Sequence, residues 1–465
     1  MQRKYNFNDL SSESSNESEN TILEEEAIEG EEIPVEDNIQ MLENLVADAD
    51  ENQAENFVPD MSNLANLEPS RRAYCVYEKF STDWPMLTID CVNTGAHYEK
   101  EPHSFHFLSG TTTTSLEKPS IQLIRIAQIQ SEQIDDDDSD AEGSVQDYLP
   151  PVLERRLFDV NANVLRVKSH TNFYNNQFQA GNPNAGAAWL ENGELIFFNL
   201  FKEFKTMGTM MSNELPQTSF LQNEQCYDTP VNNLQGSFKY DKPGYGLDFH
   251  SLKNLAVAGN QQNILNAFKL TPSGQVMKDG QNYSRFNNGS IEDVKFAKTG
   301  AFLLNGVFAA CSTNGHAQIC DPKSNQQPEP FKVSHADVNV IDFDYQNEHL
   351  IYAGDDIGQV FCFDLRNTSQ FMTKIHYNQS AITSLKASPS SGCTIAVADD
   401  NGAIVFYQMD EENETDLIKL GLPSQYLFLH CGNEEPREIS WCGQAEGYLA
   451  TTDLNGIQLI KPVNL

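Results

Sequence analysis

Apolar and polar positions alternate differently in three parts of the chain. Residues 1–67 show almost no periodic apolar face. Ser11–Glu19 is wholly polar, and Glu24-Glu25-Glu26 and Glu31-Glu32 follow. Such a segment buries too little apolar surface to offset the entropy of ordering, so it reads as a disordered tail. The exception is Ile39, Leu42, Leu45 and Val46, which share one helical face and suit docking on a partner. In Arg71–Phe80, Ala73, Val76, Tyr77 and Phe80 recur at helical spacing behind Pro69, which predicts a helix over 68–82 outside the sheets. After Trp84-Pro85 the period falls to two. Met86–Val92, His103–Ser109 and Ile121–Ile129 read as strands. An acidic loop over 130–150 interrupts them. Its Asp135-Asp136-Asp137-Asp138 run is no strand, because like charges repel across a sheet.

From about residue 160 one module recurs: a strand, a polar turn, an apolar strand, a turn ending in Gly, and an aromatic-rich strand. Apolar-x-apolar triplets head the copies: Leu247-Asp248-Phe249, Val294-Lys295-Phe296, Ile341-Asp342-Phe343, Leu385-Lys386-Ala387 and Ile439-Ser440-Trp441. Their starts advance by 47, 47, 44 and 54 residues. An earlier copy is read at Leu165-Arg166-Val167, separated from the next by an Asn/Gln-rich insert over 201–240. The turns repeat as Glu191-Asn192-Gly193, Thr313-Asn314-Gly315, Asp356-Ile357-Gly358, Asp400-Asn401-Gly402 and Leu454-Asn455-Gly456, sequences that favour the positive φ of tight hairpins. A period in the mid-forties with several strands per unit predicts an all-β ring of seven blades over 83–465. Six copies follow residue 160, strands within 86–129 supply the seventh, and an N-terminal strand paired into the last blade closes the ring.

Charge sharpens this picture. The chain of 465 residues carries 67 acidic and 30 basic side chains, a net −37. Residues 5–70 hold nineteen acids and no Lys or Arg, and residues 130–153 hold eight more acids and no base. A field of this sign repels nucleic-acid phosphates and anionic lipid and attracts basic proteins. Nine scattered cysteines with no C-x-x-C predict free thiols in a reducing compartment. No apolar run is long enough to span a bilayer and no signal region opens the chain, so an intracellular soluble protein is expected.

The repeats resemble degenerate WD repeats. The best copy runs Ser334-His335-Ala336-Asp337-Val338-Asn339-Val340-Ile341-Asp342-Phe343, then Ala353-Gly354-Asp355-Asp356, then Phe361-Cys362-Phe363-Asp364. In that family a His, a turn Asp and a strand hydroxyl form a structural hydrogen-bond relay, which the resemblance assigns to His335 and Asp356, with Asp364 as the blade-end Asp. Trp84-Pro85-Met86-Leu87-Thr88 is similar to the first strand of histone-binding WD-repeat proteins, and the preceding Arg71–Phe80 to their N-terminal helix. The order of acidic tail, helix and acidic loop, with Leu427–Gly432 and Glu438-Ile439-Ser440-Trp441 near the end, resembles the glutamate-rich WD-repeat family over roughly 68–465. The resemblance implies a monomeric, nuclear or nucleolar, non-enzymatic ribosome-assembly chaperone acting on pre-ribosomal particles. Its client would be a basic large-subunit ribosomal protein, and relatives also bind histones.

The candidate client-binding acids are Glu24, Glu25, Glu26, Glu29, Glu31, Glu32, Asp135, Asp136, Asp137 and Asp138. The candidate helix and rim contacts are Arg71, Arg72, Tyr74, Tyr77 and Trp84. Two alternatives stay open: a histone chaperone in chromatin assembly, and a ubiquitin-ligase substrate receptor docking through Arg366 of Asp364-Leu365-Arg366. Ser14 and Ser139 have an acid three residues on and match acid-directed phosphorylation. His103 and His106 fit strand alternation better than a metal pair, and Asp135–Asp138 lacks the spacing of a Ca²⁺ loop. No phosphate loop, nucleophile elbow or paired-carboxylate site is apparent, and no cofactor is expected.

Overall fold

The computed structural model describes residues 68–92, 101–114, 117–131, 150–170, 185–199, 223–224, 234–271, 274–411 and 415–465. The tail, most of the acidic loop and most of the insert lie outside the described residues, together with the expectations placed on them.

Seven sheets, antiparallel but for one short edge strand, form the seven blades of a β-propeller. The innermost strands are Met86–Cys91, Val164–His170, Gly246–Phe249, Ile291–Phe296, Val338–Phe343, Ile382–Ala387 and Glu438–Trp441, which number blades one to seven. Each is followed outward by its hairpin partners in sequence order. The expected triplets from Leu247-Asp248-Phe249 onward therefore head their blades, and the third strands lie where the Gly-ending turns place them.

Side chains from neighbouring sheets interdigitate between blades. Ile89, Phe105 and Ile126 of blade one meet Ala450 and Leu459 of blade seven. Val340, Tyr352 and Cys362 of blade five meet Leu385, Ile395 and Val405 of blade six. Each sheet thus buries both faces, as a lone four-stranded unit cannot. The hairpins close on glycines with positive φ. Gly358 has φ +80°, and a Cβ there would lie 2.4 Å from the Asn378 carbonyl oxygen.

The ring closes through the segment expected to be a helix. Arg71–Ala73 makes one 3₁₀ turn, and Tyr74–Ser81 is a strand paired antiparallel with Gly456–Pro462 as the outer strand of blade seven. The helical spacing of Ala73, Val76, Tyr77 and Phe80 is overridden for a tertiary reason. Strand Gly456–Pro462 would otherwise present unpaired backbone groups, and β-branched and aromatic residues satisfy that edge well. A bulge between Tyr74 and Val76 turns both Tyr74 and Tyr77 inward. Pro69 packs against Gly432, where a Cβ would meet its ring at 3.2 Å.

The insert over 201–240 has structural roles at its end. Leu234–Lys239 is the outer strand of blade two, and the backbone of Asn223–Glu224 pairs in parallel with Glu154–Arg155 on the outer edge of blade one.

Candidate functional site

Side chains of the inner strands line the central channel, and inter-blade hydrogen bonds fix their register. Asp90 Oδ2 accepts the Ser169 amide at 2.8 Å, Asp248 the Phe296 amide at 2.7 Å, Asp342 the Ala387 amide at 3.0 Å, and Ser440 Oγ the Cys91 amide at 2.9 Å. These bonds make Ile89-Asp90-Cys91 and Val167-Lys168-Ser169 the triplets of blades one and two. The reading of Leu165-Arg166-Val167 is therefore two residues out of step. A bulge between Val164 and Arg166 breaks simple alternation there.

In this register the central residues around the ring are Asp90, Lys168, Asp248, Lys295, Asp342, Lys386 and Ser440. Their charges alternate, and the neutral Ser440 takes the seventh place. An odd ring cannot alternate throughout, so a seventh charge would sit beside one of its own sign in a poorly solvated channel. The sequence carried this signal in the middle residue of each triplet, but only the closed ring makes those residues neighbours.

One level nearer the turns, Glu438 gathers three cations. Its Oε1 accepts from Arg166 at 2.7 Å, Lys168 at 3.1 Å and Lys386 at 3.2 Å, and its Oε2 from Thr88 Oγ1 and the Ile89 amide. Burial opposes its ionisation, but Arg166, Lys168 and Lys386 outweigh that and hold the carboxyl well below the usual range. Burial, reinforced by Lys295 and Lys168, brings Lys386 down to about 8.

The Gly-ending turns and the links from each outer strand to the next inner strand lie at one end of the channel, as the antiparallel order of every blade requires. Five inner strands bulge close to this end. Exposed acids there include Glu191, Asp337, Asp356, Asp400, Glu434 and Glu435, and exposed bases lie among them: Lys242, Arg285, and Lys239, Lys332 and Lys79, which donate to the Asn192, Asn314 and Gly432 carbonyls. At the mouth, burial raises the Glu292 carboxyl and Asp337 adds to this, although Ser290 and Arg166 pull the other way.

The expected relay forms one residue earlier than assigned. His335 and Asp356 are exposed. The buried pair is Ser334 Oγ and Asp355 Oδ2 at 2.6 Å, and Asp355 Oδ1 accepts the Ile357 and Gln359 amides across the turn. Asp399, Asp453 and Asn260 repeat this device before their own turns. A buried carboxylate beside two turn amides is satisfied, whereas His335 finds water. Asp364 instead pairs with exposed Arg366, whose hydrogen bond holds the carboxyl down at about 2.

Of the other candidate residues, Arg71 and Arg72 are exposed, and Arg71 lies over the Tyr77 ring at 5.7 Å. Tyr74 and Tyr77 are buried in the closing seam rather than presented on a helix, and the Tyr74 hydroxyl lies 2.7 Å from His430 Nδ1. Trp84 is half-buried and donates to Glu117. Glu24–Glu32 and Asp135–Asp138 lie outside the described residues. The ends that flank the acidic loop, Ile129 and Val152, lie at the channel end opposite the turns.

The fold is matched in solved structures by the crystal structure of the WD40 β-propeller domain of Doa1. It gives a TM-score of 0.53 at 8% identity over 84% of this chain and 96% of that one. No protein-family model matches the chain. Among curated proteins it is 22% identical over 411 residues to ribosome assembly protein rrb1 of Schizosaccharomyces pombe, covering 84% of this chain and 80% of that protein. It is 21% identical over 279 residues to glutamate-rich WD repeat-containing protein 1 of Dictyostelium discoideum, covering 57% and 51%. At low identity, the chain is similar to ribosome-assembly and glutamate-rich WD-repeat proteins. A further relative, protein HEAT STRESS TOLERANT DWD 1 of Arabidopsis thaliana, is 22% identical and covers 86% of this WD-repeat chain and 88% of its own length. The likeness runs through the propeller, which places the shared features in the blades rather than in the tail alone.

Proposed function

We propose that this WD-repeat protein is a non-enzymatic ribosome-biogenesis factor that shields a basic large-subunit ribosomal protein and delivers it to pre-ribosomal particles in the nucleus and nucleolus. The observation that carries this reading is the placement of charge. Residues 5–70 and 130–153 together hold 27 acids and no base. Ribosomal proteins carry basic extensions that bind RNA indiscriminately when free. A polyanionic segment holds such a client at low ordering cost and gives it up to the denser charge of RNA. The similarity to a protein named for ribosome assembly supports the same reading. Glu24, Glu25, Glu26, Glu29, Glu31, Glu32 and Asp135–Asp138 would neutralise the client, with Arg71, Arg72 and Trp84 at the rim.

The test is affinity purification from cells at low and moderate salt, with mass spectrometry of what co-purifies. One large-subunit ribosomal protein with pre-ribosomal factors is the expected outcome. Histones without ribosomal proteins would move the client to chromatin. A second reading, a ubiquitin-ligase receptor, draws on the exposure of Arg366 and on the third relative. Unchanged ligase association in Arg366→Ala removes it.

A further inference from the structure

Eight of the nine cysteines lie among the described residues as free thiols, and two of them meet across a blade boundary. Cys91 ends the inner strand of blade one, and Cys442 follows the inner strand of blade seven. The two side chains pack into the same apolar cluster. Contacts on either side fix their approach. The Cys91 amide donates to Ser440 Oγ at 2.9 Å, and Gln444 Nε2 donates to the Val92 carbonyl at 3.2 Å. Cys442 is buried in the apolar cluster shared by blades one and seven, and Cys91 packs on that cluster while staying half-exposed.

We propose that Cys91 and Cys442 form a reversible disulfide that locks the boundary between the first and last blades. This site is independent of the client. Exposure sets the order of events. A hydroperoxide reaches the half-exposed Cys91. Its O–O bond breaks as an S–O bond forms, leaving a sulfenic acid on Cys91 and releasing water or an alcohol. Cys442 sulfur then attacks Cys91 sulfur. The S–S bond forms, the S–O bond breaks, and hydroxide leaves as water with the Cys442 proton. Two thiols are oxidised and one peroxide is reduced. Burial pushes the Cys442 thiol well above its ordinary range and the neighbouring Cys91 adds to this, so Cys442 is the resolving rather than the initiating thiol.

The location gives the bond a consequence. Three strands of blade seven come from the C-terminal end of the chain, and only non-covalent pairing holds them to the N-terminal strand Tyr74–Ser81. A Cys91–Cys442 bond ties residues 351 positions apart and encloses nearly the whole propeller in one loop. Long loops lose the most unfolded-state freedom when closed.

The test uses the reduced full-length protein, treated with hydrogen peroxide, alkylated and mapped by mass spectrometry without reductant. The expected result is a Cys91–Cys442 cross-linked peptide lighter by two hydrogens than its separate thiols. Dithiothreitol should reverse it, and the oxidised protein should melt a few degrees higher. Cys91→Ser should lose both the link and the rise. Full alkylation of both cysteines after peroxide would overturn the proposal. So would sulfinic acid at Cys91 with Cys442 still alkylated, or pairing of either residue elsewhere. The wild-type map decides even where Cys91→Ser fails to fold.

Discussion

Glu438 of blade seven accepts a hydrogen bond from Arg166 of blade two at 2.7 Å, although blade one stands between them on the ring. The bond runs across the channel, and the same carboxylate oxygen also holds Lys168 and Lys386. One buried anion therefore ties blades two, six and seven together at the axis.

Replacing Glu438 by Gln leaves three buried or half-buried cations short of their shared counter-charge. A loss of about 3–5 kcal/mol is expected, because breaking a buried ionic cluster strands charge in a low-dielectric site. Urea unfolding at neutral pH measures it. The pH dependence has a definite sign. The folded carboxyl lies below its unfolded value, so its stabilisation is present above the ordinary carboxylate range and is lost as pH falls through it. Glu438→Gln should lack that part of the acid transition.

Ser440 tests the parity of the charge ring. Ser440→Asp places a carboxylate next to Asp90 and should cost more than Ser440→Ala, which only removes the acceptor of the Cys91 amide. A cost of about 1–3 kcal/mol is expected for the Ala variant from that unmet donor. Equal melting temperatures for the Asp variant and the wild type would show that alternation does not matter.

The closing strand depends on Tyr74. Tyr74→Phe removes the hydrogen bond with His430 and should cost about 1 kcal/mol, whereas Tyr74→Ala should cost about 3–5 kcal/mol through the cavity it leaves. Removing residues 1–67 should leave the melting temperature almost unchanged while weakening client binding and flattening its salt dependence. Calorimetry and a salt titration of affinity separate the two effects.

Buried histidines set an earlier acid limb. Burial, with Lys79 nearby, brings His430 down to about 3, and burial brings His170 to about 4. Unfolded, each titrates near 6.5. The unfolded chain therefore takes up protons first, and stability should fall as pH drops below about 6.5, above the carboxylate range. Melting temperature against pH should show this slope, and His430→Gln should make it shallower.

Much of the propeller was legible in the chain. Leu247-Asp248-Phe249 and its later copies predicted the inner strands because a strand buried on both sides and opening at one edge repeats that pattern wherever it falls. Asn-Gly and Asp-x-Gly located the hairpins because only some residues tolerate positive φ. The relay was misplaced by one residue because Asp355 and Asp356 look alike in sequence, and only packing tells which faces inward. The tail acids and Asp135–Asp138 are legible as charge alone.

Amino-acid order by itself determined the strands, their turns, the count of seven and the segregation of charge, since each depends on neighbours within a few residues. Tertiary structure alone decided three things. Arg71–Phe80 became a strand because the open edge at Gly456–Pro462 needed hydrogen-bond partners. Lys168 rather than Arg166 entered the alternating ring because a bulge shifted the register. Cys91 met Cys442 because the ends of the chain converge in one seam. In each case the deciding energy came from a partner tens to hundreds of residues away, which local periodicity does not encode.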